Sequence, residues 1–268
     1  MKRTCLILML VPLLCLGITP PLYADIASFS EAVNKAGQQR MLTQRITKTY
    51  SLIGVASAKL AAVPTDFEFE LLQALHRFET QLEELQQFNQ DKEVAAELQQ
   101  IQAKWPQFKK LALSSFSQEN SRLLWQADEQ MLRHCESVMR KLLQGASNPV
   151  NQYVNISGRT RMLSQRIAKI YMLRAIGLEA PGMLENLGGQ KSEFEDALAA
   201  LESAEENTVV IKSNLDEVRL QWRWLVGALE LDSEPTFPII VNDAGDKVLQ
   251  VTERLTTLYE ELARHKLD

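Results

Sequence analysis

The sequence predicts an all-α protein made of two tandem four-helix up-down bundles related by a pseudo-twofold axis. Three observations carry this. Leu, Ala, Glu, Gln, Lys and Arg dominate the 268 residues, with only 11 Gly and 9 Pro, and these are good helix formers. No alternating β-branched pattern of useful length occurs. The chain also repeats itself: residues 33–50 read VNKAGQQRMLTQRITKTY and residues 154–171 read VNISGRTRMLSQRIAKIY. Eleven of these eighteen positions are identical at an offset of 121, where chance gives about one.

The N-terminus reads as an export signal. Lys2 and Arg3 are followed by an apolar run over residues 5–18, then Pro20-Pro21 and a small residue, Ala24, at the cleavage position. The run is short for a membrane-spanning helix, which needs about 20 apolar residues. Residues 1–24 are therefore expected to be a signal peptide, with an uncleaved anchor as the alternative, and the remainder to be periplasmic. Leu14 before Cys15 argues against a lipoprotein. Cleavage takes the formal net charge from −5 to −7. No basic tract remains to neutralise phosphates, so nucleic acid is not an expected partner. Cys135 would remain alone, best read as a small buried hydrophobe.

The domains are expected at 25–147 and 148–268. In the first copy, Pro64-Thr65-Asp66, Phe88-Asn89-Gln90-Asp91 and the stretch 114–120 separate four helices. In the second copy, Ala180-Pro181-Gly182, Glu205-Glu206-Asn207 and the stretch 232–238 take those parts. Gly145 to Pro149 joins the units, a glycine ending one helix and Asn148-Pro149 starting the next. Gly188-Gly189 is expected to interrupt the second helix of the second copy. Leu71, Leu75, Phe78, Leu82 and Leu85 form a core stripe, as do Leu124, Met131, Val138 and Leu142. Fainter repeat matches are Phe78-Glu79 with Phe194-Glu195, Trp105 with Trp222, and Glu136 with Glu253.

On a helical wheel, Leu42, Ile46, Tyr50 and Ile53 share one stripe, and Leu163, Ile167 and Tyr171 share its counterpart. Arg40 falls about 200° from Leu42, away from that core, with Gly37 and Gln44 on the same side. Gly158, Arg161 and Gln165 repeat the arrangement. Arg45 and Arg166 lie nearer the apolar stripe and should flank the core. A solvated face would be free to drift between copies, so this one is expected to meet its sister helix, with Gly37 and Gly158 allowing close approach. That contact would bring Arg40 and Arg161 together. Two like charges about 5 Å apart at an effective dielectric near 20 repel by roughly 3 kcal/mol. An anion between them turns repulsion into charge-assisted hydrogen bonds. The candidate ligand-binding residues are Arg40, Arg161, Gly37, Gly158, Gln44 and Gln165. Ordinary surface ion pairing is the alternative for the two arginines.

The phrase Asn-x-x-Gly-x-x-Arg-Met-Leu-Ser/Thr-Gln-Arg-Ile-x-Lys-x-Tyr resembles the opening helix of the PilJ-like, or NarX-like, sensor domain of type IV pilus chemotaxis transducers and nitrate/nitrite sensor kinases. The resemblance implies ligand binding at a dimer axis by the arginine before the methionine, here Arg40 and Arg161. Gln44 and Gln165 stand where the nitrate sensors tend to carry tyrosine, which places the phrase nearer the pilus-receptor branch. Members usually sit between membrane helices and signal through a cytoplasmic module. Neither is evident here, so a membrane-bound chemoreceptor or sensor kinase is the expected partner and a small anion the expected ligand. A ligand-free adaptor is the competing reading. Enzymatic chemistry is not expected. His76, His134 and His265 are scattered, and no haem, zinc or di-iron spacing calls for a cofactor or metal.

Overall fold

The computed structural model describes residues 26–59, 63–178, 183–230 and 237–265, except for the side chains of residues 59 and 184–186. The expected signal peptide, and most of the breaks expected at 180–182 and 232–238, lie outside these residues. The described residues form eight helices: α1 (Phe29–Lys59), α2 (Thr65–Phe88), α3 (Lys92–Ala112), α4 (Gln118–Gln144), α5 (Val150–Ala175), α6 (Met183–Glu202), α7 (Val209–Glu230) and α8 (Phe237–His265). No strand occurs among them.

Local chemistry sets several boundaries. The Asp91 carboxylate accepts from the backbone N–H groups of Glu93 and Val94, capping α3, and the Ser117 hydroxyl does the same for α4 through Asn120. Asn148 accepts from the Val150 N–H at the start of α5 and donates to the Ala263 carbonyl, tying the junction to the end of α8. Gly177, at φ +79°, turns the chain out of α5. The expected break at Gly188-Gly189 does not occur, since α6 runs through both. Two exposed glycines each cost a helix about 1 kcal/mol relative to alanine, and packing of Phe194, Leu198 and Leu201 into the core outweighs that.

The same packing pattern appears twice. In each unit the first helix contacts the second and fourth, and the third contacts both of those. The expected stripes of α2 and α4 are buried. Phe78 stacks on Trp105 at 4.3 Å, and Phe194 stacks on Trp222 at 3.9 Å. Each indole N–H donates to the glutamate following its phenylalanine, Glu79 or Glu195. These repeat-related tryptophans are core elements. Cys135 is also buried, and burial pushes its thiol pKa up.

The most extensive helix pair lies between the units, α1 against α5. Both helices are therefore buried on two sides. Leu42, Ile46 and Tyr50 face their own bundle, while Gly37, Arg40, Thr43 and Gln44 are buried as well. Such a polar surface survives burial partly because its hydroxyls bond back to their own helix. Thr43 donates to the Arg40 carbonyl, Ser51 to Thr47, Thr160 to Ser157 and Ser164 to Arg161.

Candidate functional site

At the α1–α5 crossing the backbones come close. A Cβ built on Gly158 would lie 3.9 Å from the Gly37 Cα. The same position is 3.6 Å from Nη2 of Arg40 and 3.6 Å from Nη2 of Arg161. Both guanidinium groups thus converge on the glycine pair, as the wheel predicts. Arg40 and Arg161 are only 2% and 1% exposed.

Each arginine is held by the opposite copy. Arg40 Nη2 donates to Asn155 Oδ1 at 3.0 Å and approaches the Asn155 carbonyl at 3.5 Å. Arg161 Nη1 donates to Asn34 Oδ1 at 3.1 Å, and its Nη2 to the Asn34 carbonyl at 3.3 Å. These partners are neutral, and the Nε of each arginine has no acceptor among the described residues. Burial drives the pKa of Arg40 down to about 10 and that of Arg161 to about 9, with Glu136 and Glu253 respectively opposing the shift. The mutual repulsion of the two arginines adds to the lowering at Arg161. Two cations are thus buried with neutral partners, a costly arrangement that an anion would relieve.

Gln44 and Gln165 share the buried seam but turn away from this cleft. Gln44 Nε2 donates to Asp128 Oδ1 at 2.9 Å, and Gln165 Nε2 to Asp246 Oδ1 at 3.2 Å. Each aspartate is also paired with a lysine of the other unit. Lys48 Nζ lies 2.6 Å from Asp246, and Lys169 Nζ lies 2.5 Å from Asp128. Both lysines are fully buried. Lys169 has a second carboxylate, Glu129, at 2.9 Å, which Arg166 shares. Burial lowers the Lys48 pKa. Burial would raise that of Asp246, but the charges of Lys48 and Arg45 outweigh it and hold the carboxyl below its usual range. Arg45 pairs with Glu70 at the flank of the core.

Sequence reasoning missed the four partners that complete this seam: Asn34, Asn155, Lys48 and Lys169. The signal was available, because all four stand at identical positions in the two copies. Asp128 and Asp246 had no such signal. In the register that matches Met131 with Val248, Asp128 falls opposite Gly245, one residue from Asp246.

A duplicated helical-bundle domain, with its charged side chains gathered at the joint between the copies, is the class that fold and site define. The sequence profile of the family described as type IV pili methyl-accepting chemotaxis transducer N-term (PilJ) matches residues 25–130 and 145–235. The chain belongs to this non-catalytic sensory family, and the two matched segments are tandem copies. N-terminal domains of the family are typically periplasmic sensors. No helix among the described residues is long and apolar enough to cross a membrane. No curated protein and no solved structure matches the chain.

Proposed function

We propose that the protein is a periplasmic sensory module that binds a small anion between its repeats, at Arg40 and Arg161, and signals through a membrane-bound chemoreceptor or sensor kinase. One observation carries this reading: two buried guanidinium groups, one from each copy, meet at a glycine pair with neutral partners and unsatisfied Nε donors. A planar oxyanion or carboxylate matches a guanidinium fork. An anion that prefers one spacing of α1 and α5 would shift the packing of the two units, which is what coupling to a partner requires. The exported location rests on the N-terminal pattern of residues 1–24.

The test is a thermal-shift titration with nitrate, nitrite and small carboxylates. A ligand at about 100 times its Kd adds roughly 2.7 kcal/mol. Arg40→Ala and Arg161→Ala should each abolish the shift. Retention of the shift in both folded variants sinks the assignment. The adaptor reading draws on Leu220 and Trp224, exposed one turn apart on α7, with Trp224 at 68%. It predicts binding to a purified receptor ectodomain that Trp224→Ala weakens and that needs no small molecule.

A further inference from the structure

The two arginine sites are related by the repeat but are not equivalent, and the difference bears on the ligand. The Arg40 side carries a surface groove. A groove of about 480 Å³ runs between α4 and α5, with Arg40 and Asn155 among its lining residues. Glu136, Arg140 and Leu143 line it from α4, and Arg159 from α5.

The residues at the repeat-related positions close the Arg161 side. Leu143 corresponds to Glu260, whose carboxylate accepts from Asn34 Nδ2 at 2.6 Å and so locks the asparagine that holds Arg161. Arg159 corresponds to Gln38, Glu193 to Arg77, and Glu136 to Glu253. Arg77 donates to Gln38 Oε1 at 2.8 Å and lies 3.5 Å from Glu253, bridging α2 to α8 across the mouth. On the Arg40 side the equivalent bridge would join Glu193 to Glu136, two like charges that cannot latch. Glu193 pairs instead with Arg159.

Helix packing agrees. α8 makes much more extensive contact with α5 and α1 than α4 makes with α1 and α5. The register gives the reason. Where α4 carries Asp128, α8 carries Gly245, and a Cβ there would sit 3.1 Å from that of Ala168. The glycine lets α8 pack close on α5, the first helix of its own unit, while Asp128 on α4 reaches across to Lys169 of the other unit.

Building on the anion-binding reading, we infer that the ligand is an organic monocarboxylate with an uncharged body, admitted only through the α4–α5 groove. The groove is open along the surface, and its roughly 480 Å³ leaves room for an organic body beyond the carboxylate that a small inorganic oxyanion would not use. Arg40, Arg140 and Arg159 line the groove with Glu136, and Arg159 is paired with Glu193, which leaves one net positive charge for one carboxylate. Leu143, partly exposed, offers apolar surface to the rest of the molecule. The carboxylate pairs with the Arg40 guanidinium, whose Nε lacks an acceptor.

The test is titration calorimetry on the full chain with nitrate, acetate and benzoate. Benzoate is expected to bind at least tenfold tighter than nitrate. Leu143→Glu places a carboxylate where Glu260 closes the other side, and it should weaken benzoate at least tenfold. Arg140→Ala, at an exposed position, should weaken it severalfold, so the proposal does not depend on Leu143→Glu folding. Arg77→Ala, on the closed side, should leave benzoate affinity within twofold. Nitrate binding tighter than benzoate, lost equally in Arg40→Ala and Arg161→Ala and unaffected by Leu143→Glu, overturns the one-sided groove and leaves anion binding standing. Benzoate binding that responds to Arg77→Ala but not to Leu143→Glu or Arg140→Ala overturns it too. No binding by any of the three overturns both.

Discussion

Asp246→Asn tests how much the cross-unit ion pairs hold the molecule together. Lys48 is fully buried, and its Nζ is 2.6 Å from Asp246, its only carboxylate in ion-pair range among the described residues. The substitution keeps the shape of the partner and removes its charge. Breaking a buried pair this way costs about 3–5 kcal/mol. The chain can limit the cost by releasing the Lys48 proton, and neutralising an ordinary lysine at about pH 7 costs roughly 4.6 kcal/mol at 1.36 kcal/mol per pH unit. The expected loss is therefore about 3–5 kcal/mol at neutral pH. Burial already lowers the Lys48 pKa against the pull of Asp246, so losing Asp246 lowers it further. A base with a depressed folded pKa binds fewer protons folded than unfolded, so stability rises with pH up to the ordinary lysine value. The deficit of the variant should then shrink by up to about 1.4 kcal/mol per unit above about pH 7. It should also narrow in acid. The depressed Asp246 pKa stabilises the parent above the ordinary aspartate value, and that contribution fades as pH falls through the folded one. Urea unfolding followed by far-ultraviolet circular dichroism, at about pH 3, pH 7 and pH 9, measures these effects. A deficit below about 1 kcal/mol, or one that ignores pH, means Lys48 is not a stranded buried charge and refutes the reasoning.

The other perturbations use different contacts. Lys169→Met strands Asp128, whose pKa burial already raises; the loss should be about 2–4 kcal/mol at neutral pH and shrink as pH falls toward the ordinary aspartate value. Adding Asp128→Leu should recover most of it in urea titrations, because an apolar pair replaces an ion pair at little cost. A Cβ on Gly54 would overlap the Phe116 ring, so Gly54→Ala should lose about 1–3 kcal/mol in thermal unfolding, and part of that should return in the Gly54→Ala, Phe116→Ala double variant. Gly158→Ala meets only ordinary contacts and should gain up to about 1 kcal/mol from helix propensity. Gly37→Ala places its methyl 3.2 Å from Nη2 of the buried, hydrogen-bonded Arg161, which must shift, so this variant should be less stable than Gly158→Ala.

Much of the site was legible because the chain carries two samples of it. Arg40 and Arg161, with Gly37 and Gly158, stand out as identical residues on a face that the core stripe of Leu42 and Ile46 cannot use. Identity across copies also marked Asn34, Asn155, Lys48 and Lys169, but residue type alone assigns them no partner. Their partners lie far off in sequence, 41 residues for the Lys169–Asp128 pair and more than a hundred for the other three. Gln44 and Gln165 show the limit of the wheel. It placed them on the correct side of the helix, and a carboxylate on the fourth helix of the same unit, Asp128 or Asp246, drew their amides away from the arginines.

Fold class, core stripes and the pairing face followed from the sequence alone, because helical periodicity is a local property of the chain. The difference between the two mouths was decided by tertiary structure. Glu260 against Leu143, Arg77 against Glu193, and Gly245 against Asp128 are single-residue departures that read as drift in a linear comparison. They acquire meaning only where α8 packs on both α5 and α1 more extensively than α4 packs on α1 and α5, since ion pairs and close packing depend on distances that sequence separation does not encode.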